Sequence, residues 1–516
     1  MLKSSGAMAV ATLMSRVLGM VRVILSARFM GDTVVAGAFD LAFSIPNLFR
    51  RLLGEGALSA AFIPIFKEKE KKEGESAMWR VANVVVSALV MVSAAIVLLV
   101  IAGLSLALLS DSLSEKMRLV LELVRVMFPY MLLICLTAIF MGILNSRGKF
   151  FLPALAPTLL NLILIPTLLF LAPRWGVQLS EQVFAIAFAV LVAGVVQAFY
   201  MVPAMRREGY RFKWIKPGTD PILREIWNRM LPGLLGVAAF QINVFLTGII
   251  AASIDLRINA SYQYAVRLFE LPQGVFGVSL AAFLLPTLSG LAAEKKTDEF
   301  KGTLTQGLGY VIFINALMGG GLVILAEPMV RLLFERGKFD AESTLRASSA
   351  LWWLGLALVP YSVNSILSRA FFALGDTRTP MRLSAICLLI NLVAVIAVVK
   401  TYRQEGLAMA NCATAVLNTF LLVYSLRRKI GHIGLRRMIA MIIQVTCALA
   451  VSLTIGWFLH GWWMHRFGNE TLLLRTGEVF VPLGLTAVSY LFFALSMKMS
   501  VAREFLSLAM KRLRKR

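Results

Sequence analysis

Eight arginine residues, and no lysine, lie inside the long apolar segments of this chain. A charge inside a membrane is energetically costly and usually faces a polar cavity or a partner. A guanidinium group stays charged and can bind a phosphate through two parallel hydrogen bonds, which an ammonium group cannot do. The bias toward arginine therefore predicts a wet, cationic cavity that suits a phosphate-bearing ligand. The eight are Arg16, Arg22, Arg28, Arg50, Arg51, Arg125, Arg267 and Arg369.

Structural roles compete with ligand binding for several of these arginines. Arg28, Arg50 and Arg369 lie near segment ends, where the side chain can extend to the membrane surface. Arg125 follows Glu122 by three residues, a spacing that predicts an ion pair on one helix face.

Two further arginines have an acidic residue one helical turn away. Glu55 follows Arg51 by four residues, and Glu270 follows Arg267 by three. These pairs are either structural or part of a binding site, and the spacing alone leaves both readings open.

Arg16 and Arg22 have no acidic neighbour within one turn, so a structural role explains them least well. On a straight helix they point about 120° apart, at roughly 100° per residue. Both can face one cavity only if the helix bends, and Gly19 lies between them.

The composition indicates that the chain that positions these arginines is a membrane protein. Of the 516 residues, 59% are hydrophobic and 16% charged, and the mean hydropathy is +0.79. A soluble domain is nearer half apolar and a quarter charged. No polar stretch is large enough for a soluble enzymatic domain, and the pattern lacks the alternation of an outer-membrane barrel.

Apolar runs long enough to cross a bilayer as helices recur along the whole chain. We predict an all-α polytopic membrane protein with fourteen transmembrane helices. The predicted spans are 6–28, 33–55, 79–109, 119–145, 152–172, 183–204, 231–254, 259–291, 303–326, 348–371, 380–399, 406–426, 438–460 and 476–497.

The net charge is +24, and the basic residues lie in short segments between the apolar runs. Their distribution predicts the orientation in the membrane and does not indicate binding of nucleic acid. The segments on the N-terminal side of the membrane carry 32 Lys and Arg residues, and those on the opposite side carry 12. Cytoplasmic segments carry the excess of basic residues, so both termini are predicted to be cytoplasmic. The basic tail at 511–516 also suits anionic lipid.

The chain lacks the motifs of the common enzymes. There is no GxxxxGK[ST] phosphate loop, GxSxG or HExxH motif. The three histidines and four cysteines show no metal-ligand spacing. We therefore predict a transporter with no cofactor and no metal site.

The first twelve spans divide into two similar halves. AAFIP at 60–64 resembles AAFLLP at 281–286, and LLNL at 159–162 resembles LINL at 389–392. Six spans in each half give a parallel repeat, which suits alternating access. The predicted organisation is an N-lobe at 1–204, a basic linker at 205–230, a C-lobe at 231–427, two extra helices at 428–500 and a basic tail at 501–516.

Several segments resemble the lipid II flippase family MurJ (also called MviN), a branch of the multidrug/oligosaccharidyl-lipid/polysaccharide exporter superfamily. The first 65 residues are the most specific part, and the resemblance covers essentially the whole chain. The matching segments are SRVLG at 15–19 with Arg22, IPNLFRRL at 45–52, GEGALSAAFIP at 54–64, LPQGV at 271–275, LFERGKF at 333–339 and ALGDTRTP at 373–380.

The resemblance implies an inner-membrane flippase of fourteen helices in two six-helix lobes. The cargo it implies is lipid II, the undecaprenyl-pyrophosphate-linked precursor of peptidoglycan, with the polyprenyl tail in a groove formed by the last two helices. The family's essential arginines correspond to Arg16, Arg22, Arg51 and Arg267, which would bind the pyrophosphate and the acidic head group. Asn47, Glu55, Glu270 and Asp40 are candidate supporting residues.

The sequence departs from the family pattern at several acidic positions. Val23 and Val266 stand where many members have Asp, and Asp40 lies two positions beyond the family's acidic residue, which matches Ala38. The seventh and eleventh spans contain no Asp or Glu, so we expect no carboxylate sodium site of the kind found in some members. The membrane potential is then the expected driving force.

The interpretation is a monomeric lipid II flippase whose partners are lipid II, membrane lipids and cell-wall synthesis proteins. The alternatives are a flippase for another polyprenyl-linked oligosaccharide, a drug/cation antiporter, a non-transporting cell-wall scaffold and a membrane glycosyltransferase. An antiporter for cations would favour an acidic cavity, and a glycosyltransferase would need a carboxylate cluster.

Overall fold

The computed structural model describes residues 2–52, 58–216, 218, 220–431 and 434–514. All regular secondary structure in these residues is helical. The α-helices are α1 (Leu2–Met30), α2 (Val34–Phe49), α3 (Leu58–Glu73), α4 (Glu75–Ala107), α5 (Glu115–Met127), α6 (Tyr130–Ser146), α7 (Phe151–Pro166), α8 (Leu179–Tyr200), α9 (Val202–Arg207), α10 (Pro221–Ile254), α11 (Leu256–Pro272), α12 (Ser279–Ala293), α13 (Thr297–Ile324), α14 (Ala326–Phe334), α15 (Ala341–Ala373), α16 (Arg378–Ile430), α17 (Leu435–Phe467), α18 (Leu472–Ser496) and α19 (Ser500–Arg514).

The apolar segments predicted as membrane spans are helical. Ten helices of the described chain are long and apolar enough to cross a membrane, and the bent pair α5 and α6 makes an eleventh. α16 contains the two spans predicted at 380–399 and 406–426. Between them, Arg403 breaks the helical backbone with a φ of 48°. The span predicted at 33–55 contains α2, and its last residues, 53–55, lie outside the described residues; the span predicted at 231–254 falls within α10. The chain is thus an all-helical multi-pass membrane protein, as predicted.

Side-chain caps define where several helices begin. Thr33 and Thr471 accept hydrogen bonds from backbone N–H groups in the first turns of α2 and α18, at 3.3 Å in each case. Ser114 does the same for α5 at 3.3 Å, and Asp340 for α15 at 2.8 Å. Each cap satisfies a donor that has no partner within its helix.

Prolines interrupt the regular helical backbone at three places. Pro129 stands between α5 and α6, whose axes differ by 41°. Pro166 and Pro272 are each followed by a π-helical turn, at Thr167–Leu171 and Gln273–Val278. Proline lacks the N–H that an α-helix needs, so the hydrogen-bond pattern changes there. Pro360, by contrast, lies within the continuous helix α15.

The triple glycine of α13 allows three helices to approach it closely. A Cβ atom on Gly319 would lie 2.5 Å from the carbonyl oxygen of Gly355 in α15. On Gly320 and Gly321 it would lie 2.9 Å from leucine side chains of α17 and α18. Small residues permit this close packing between membrane helices. The run is therefore a packing feature of α13.

Contacts divide the chain into two compact units. Unit 1 contains residues 1–260 and 336–339, and unit 2 contains 261–335 and 340–516. Each has its own apolar core: Phe62, Phe66 and Tyr130 are buried in the first, and Phe313 and Tyr490 in the second. The lobe and linker limits drawn from the sequence follow the order of the spans and remain predictions.

Candidate functional site

α1 carries the first two candidate arginines in different environments. Arg16 is exposed, whereas Arg22 is half-buried. Ser15, Gly19 and Arg22 share one helix face because they are four and three residues apart. Asn161 of α7 donates a hydrogen bond to the carbonyl oxygen of Ser15 at 3.3 Å, so this face packs against α7. Arg16 points away from that face, as the predicted 120° separation requires.

Arg51 lies in a π-helical turn at 50–52 that continues α2 a few residues after Pro46. Its Nη1 atom donates to the amide oxygen of Gln241 in α10 at 3.1 Å. Sequence analysis missed Gln241. The signal that could have found it is an amide side chain in the apolar part of α10, because buried amide groups form hydrogen bonds.

Asn47 supports the neighbouring arginine. Its amide nitrogen donates to the carbonyl oxygen of Phe43 at 3.0 Å, and its amide oxygen accepts from Nε of Arg50 at 3.2 Å. The first bond fixes the amide on α2, and the second orients the Arg50 guanidinium.

Arg267 forms the ion pair that its sequence spacing predicts. Its Nη1 atom donates to Oε2 of Glu270 at 3.0 Å, and the two side chains are 44% and 47% exposed. Such an exposed pair contributes at most about 1 kcal/mol to stability. A stronger anion can therefore replace Glu270 at little cost.

The remaining sequence predictions have mixed outcomes. Asp40 is half-buried in α2 and takes part in a polar interaction. Glu55 lies outside the described residues. The ion pair predicted between Glu122 and Arg125 is wrong, because within the described chain neither residue forms one.

Arg147, just after α6, differs from these arginines because carboxylates surround it. It donates to Glu70 at 2.5 Å, to Glu75 at 3.0 Å and to Glu208 at 3.2 Å. We call these four residues the Arg147 cluster. The hydrogen bond from Lys67 holds the pKa of Glu70 below its usual value, and Arg147 adds to the effect. Burial acts to raise the pKa of Glu208, but bonds from Arg147 and Lys149 outweigh it and lower that pKa.

A second cluster lies in unit 2 and was missed by sequence analysis. Arg331 of α14 contacts Glu327 and Glu335, and its Nη1 atom donates to Oε1 of Glu478 at 2.9 Å. Glu478 in α18 is completely buried. We call these four residues the Arg331 cluster. His460 of α17 also lies 3.1 Å from Oε1 of Glu478. The overlooked signal was a glutamate inside an apolar run.

The structure thus separates Arg147 and Arg331, which each contact several carboxylates, from Arg267, which pairs with one exposed carboxylate. Arg16, Arg22 and Arg51 belong to unit 1, and Arg267 belongs to unit 2. Guanidinium groups of the second kind can bind a phosphate through paired hydrogen bonds. Across the described residues, no group of three or more His, Cys, Asp and Glu is placed to hold a metal ion.

Comparison with known proteins identifies the family. The family model described as "Lipid II flippase MurJ" matches residues 26–477. A "Probable lipid II flippase MurJ" from Bdellovibrio bacteriovorus is 33% identical and covers 83% of this chain and 82% of its own length. The chain belongs to the lipid II flippase MurJ family. The "Lipid II flippase MurJ" of Burkholderia cenocepacia is 32% identical over 81% of this chain and 82% of its own.

Membership in this family makes the chain a bacterial multi-pass membrane transporter and not an enzyme. A solved structure entitled "Lipid II flippase MurJ, inward closed conformation" aligns with a TM-score of 0.77, 23% identity and coverage of 95% of this chain and 99% of the other. A multidrug resistance transporter of the MATE family aligns with a TM-score of 0.66, 16% identity and coverage of 83% and 98%. The fold is shared by both families, so the fold alone does not select the cargo.

Proposed function

We propose that this chain moves lipid II from the cytoplasmic to the periplasmic leaflet of the bacterial inner membrane by alternating access. The observation that carries the proposal is the family match across residues 26–477. The relatives from Bdellovibrio bacteriovorus and Burkholderia cenocepacia, both named as lipid II flippases or probable ones, support it.

Arg16, Arg22, Arg51 and Arg267 bind the pyrophosphate and the acidic head group in this proposal, with Arg16 and Arg22 contacting the ligand from different faces of α1. Arg16 is exposed, and the carboxylate partner of Arg267 is itself exposed. A diphosphate carries more charge than Glu270 and accepts paired hydrogen bonds, so it replaces that carboxylate readily. Asn47 orients Arg50 beside Arg51, and Gln241 holds Arg51 through a neutral amide.

The polyprenyl tail lies along α17 and α18 in this proposal, while the head group crosses. α17 exposes Trp457, Phe458 and Trp462, and α18 exposes Phe480 and Phe492. An isoprenoid chain binds such a surface through apolar contact. The two helices are held together by a hydrogen bond from Trp463 to the carbonyl oxygen of Leu474 at 3.2 Å, among other contacts.

We further propose that both termini are cytoplasmic and that the membrane potential drives the cycle, without a cofactor or a sodium ion. The excess of basic residues on one side supports this orientation. Moving positive charge on the protein across the field is worth about 2.3 kcal/mol per charge for each 100 mV.

The test replaces Arg22 and Arg267 with alanine in a host from which the native protein can be depleted. A probe that reads only the outer leaflet measures lipid II there. Arg22→Ala and Arg267→Ala are each expected to reach the membrane at the normal level and to leave lipid II on the cytoplasmic side.

Arg257→Ala is the matched control for Arg267→Ala, because Arg257 is an exposed arginine on the same helix, ten residues earlier. It is expected to support normal transport. Normal transport by both Arg22→Ala and Arg267→Ala, at equal protein level, would refute the site. Normal outer-leaflet lipid II after depletion of the protein itself would refute the function.

A further inference from the structure

The chain from the last turn of α9 to the first turns of α10 carries six basic side chains without carboxylate partners. Within the described part of the chain, none of the six forms an ion pair, and all are exposed. They are Arg206, Arg207, Arg211, Lys213, Lys216 and Arg224. We call the described residues at 206–216, 218 and 220–224 the basic segment.

The acidic residues of the same region do not neutralise these six. Glu208 pairs with Arg147 and Lys149. Asp220 pairs with Arg80 of α4 at 2.9 Å. The third, Glu225, pairs with Arg229 in α10. Every carboxylate of the region is thus bound to a different cation, and the positive charge of the basic segment remains uncompensated.

Residues 211–215 of the basic segment are held against α4 by hydrogen bonds to their backbone. The side-chain amide of Asn83 donates to the carbonyl oxygen of Arg211 at 3.0 Å and accepts from the N–H of Lys213 at 3.1 Å. The hydroxyl of Ser87 accepts from the N–H of Ile215 at 3.2 Å. Asn83 and Ser87 are buried, so these bonds hold residues 211–215 against α4.

Large aromatic side chains of this region face outward. Phe212 is 54% exposed, Trp214 is 56% exposed and Trp227 in α10 is 53% exposed. Phe212 and Trp214 lie side by side, with ring centroids 6.4 Å apart. Exposed aromatics beside basic residues are typical of a protein surface that meets the headgroup layer of a membrane.

The length of α4 places the basic segment at that layer. α4 has 33 residues and is therefore about 50 Å long, whereas the hydrocarbon core is about 30 Å thick. Its C-terminal end is apolar up to Ala107, so the excess of about 20 Å extends from the N-terminal end. That excess corresponds to residues 75–87, which include both Asn83 and Ser87.

We propose that the basic segment is a binding surface for anionic phospholipid headgroups. The basic side chains contact lipid phosphates, and Phe212, Trp214 and Trp227 insert among the headgroups. Basic clusters next to a membrane helix bind anionic lipid in this way. The proposal concerns lipid around the protein and does not depend on the identity of the cargo.

The test uses the full-length protein in vesicles that contain either brominated phosphatidylglycerol or brominated phosphatidylcholine. Bromine quenches tryptophan fluorescence at contact, and the difference between the wild-type protein and Trp214→Phe isolates the signal of Trp214. We expect brominated phosphatidylglycerol to quench this signal more strongly at equal mole fraction. The triple variant R211Q/K213Q/K216Q is expected to reduce the preference for phosphatidylglycerol about fivefold or more. The loss of a single basic residue near an anionic membrane already corresponds to about a fivefold change in lipid affinity.

The matched control K116Q/R174Q/R257Q removes three exposed charges elsewhere and is expected to keep the preference. Unchanged thermal stability of both triple variants establishes that the fold is intact. Equal quenching of Trp214 by the two lipids would overturn the proposal, as would a preference that survives in R211Q/K213Q/K216Q. Absence of quenching by either lipid would also overturn it, because the segment would then face water or a protein partner.

Discussion

Arg147 and Arg267 are the same residue type in two very different settings. Three carboxylates from separate parts of unit 1 surround Arg147, which is 21% exposed. Arg267, in unit 2, has a single carboxylate from its own helix and is 44% exposed. The number and origin of the carboxylates distinguish a structural cation, which holds elements together, from a cation that is available to an anionic ligand.

The Arg331 cluster extends this comparison toward the protein interior. Like Arg147, Arg331 contacts three carboxylates, but one of them, Glu478, is completely buried. Removing one partner of a buried charge pair leaves an uncompensated charge in a medium that solvates it poorly. The stability of the protein should therefore respond most strongly to mutation of the Arg331 cluster, less to mutation of the Arg147 cluster and least to mutation of the Arg267 pair.

The largest expected effect on stability is that of Arg331→Met. The variant leaves Glu478 buried without its arginine, and the free energy of unfolding should fall by about 3 kcal/mol. Chemical unfolding in detergent measures the loss. The double variant R331M/E478Q removes the uncompensated charge and should recover part of the stability. A single variant as stable as the wild type would show that burial does not separate the two clusters.

The next effect concerns transport by Arg267→Lys. Lysine keeps the charge but cannot donate two parallel hydrogen bonds to a phosphate. We expect transport to fall about tenfold for Arg267→Lys and about a hundredfold for Arg267→Ala, because a charge-assisted hydrogen bond contributes about 1.5–3 kcal/mol. The outer-leaflet lipid II assay measures both. Equal transport by lysine and arginine would mean that only the charge matters.

The Arg147 cluster predicts a smaller, pH-dependent effect. The pKa values of Glu70 and Glu208 lie below the usual value of 4.5. The stabilisation is therefore complete above pH 4.5 and is lost as the pH falls through the lowered values. Arg147→Gln should destabilise the protein by about 1 kcal/mol at pH 7 and should weaken this acid dependence. Unfolding at pH 7 and pH 4 tests it, and an unchanged acid dependence in the variant would contradict it.

The smallest expected effect is that of Arg267→Ala on stability. Exposed ion pairs one turn apart contribute about 0.3–0.5 kcal/mol, so the unfolding free energy should change by no more than that. Thermal melting of the purified variant checks this. A large destabilisation would place Arg267 with Arg147 among the structural arginines and would remove the contrast between them.

Local spacing predicted some side-chain contacts and failed for others. Arg267 and Glu270, three residues apart, form the predicted pair. Glu122 and Arg125 have the same spacing and do not. Spacing brings two side chains within reach, but the neighbouring helices and the solvent decide which direction each one takes.

The sequence by itself determined that this protein is a multi-pass helical membrane protein of the MurJ family with arginines inside its spans. Long apolar runs can satisfy their backbone hydrogen bonds in lipid only as helices, so composition and run length were sufficient. The specific residues at 15–64 and the later motifs indicated the family, which the comparisons confirmed.

Only the tertiary structure decided which polar side chains meet across the fold. Arg51 and Gln241 are 190 residues apart, and Arg331 and Glu478 are 147 apart. Gly319 and Gly355, which pack closely between α13 and α15, are 36 residues apart. Such contacts depend on how each helix is rotated and packed against its neighbours. That arrangement results from the burial of many side chains at once, and no local pattern in the sequence records it.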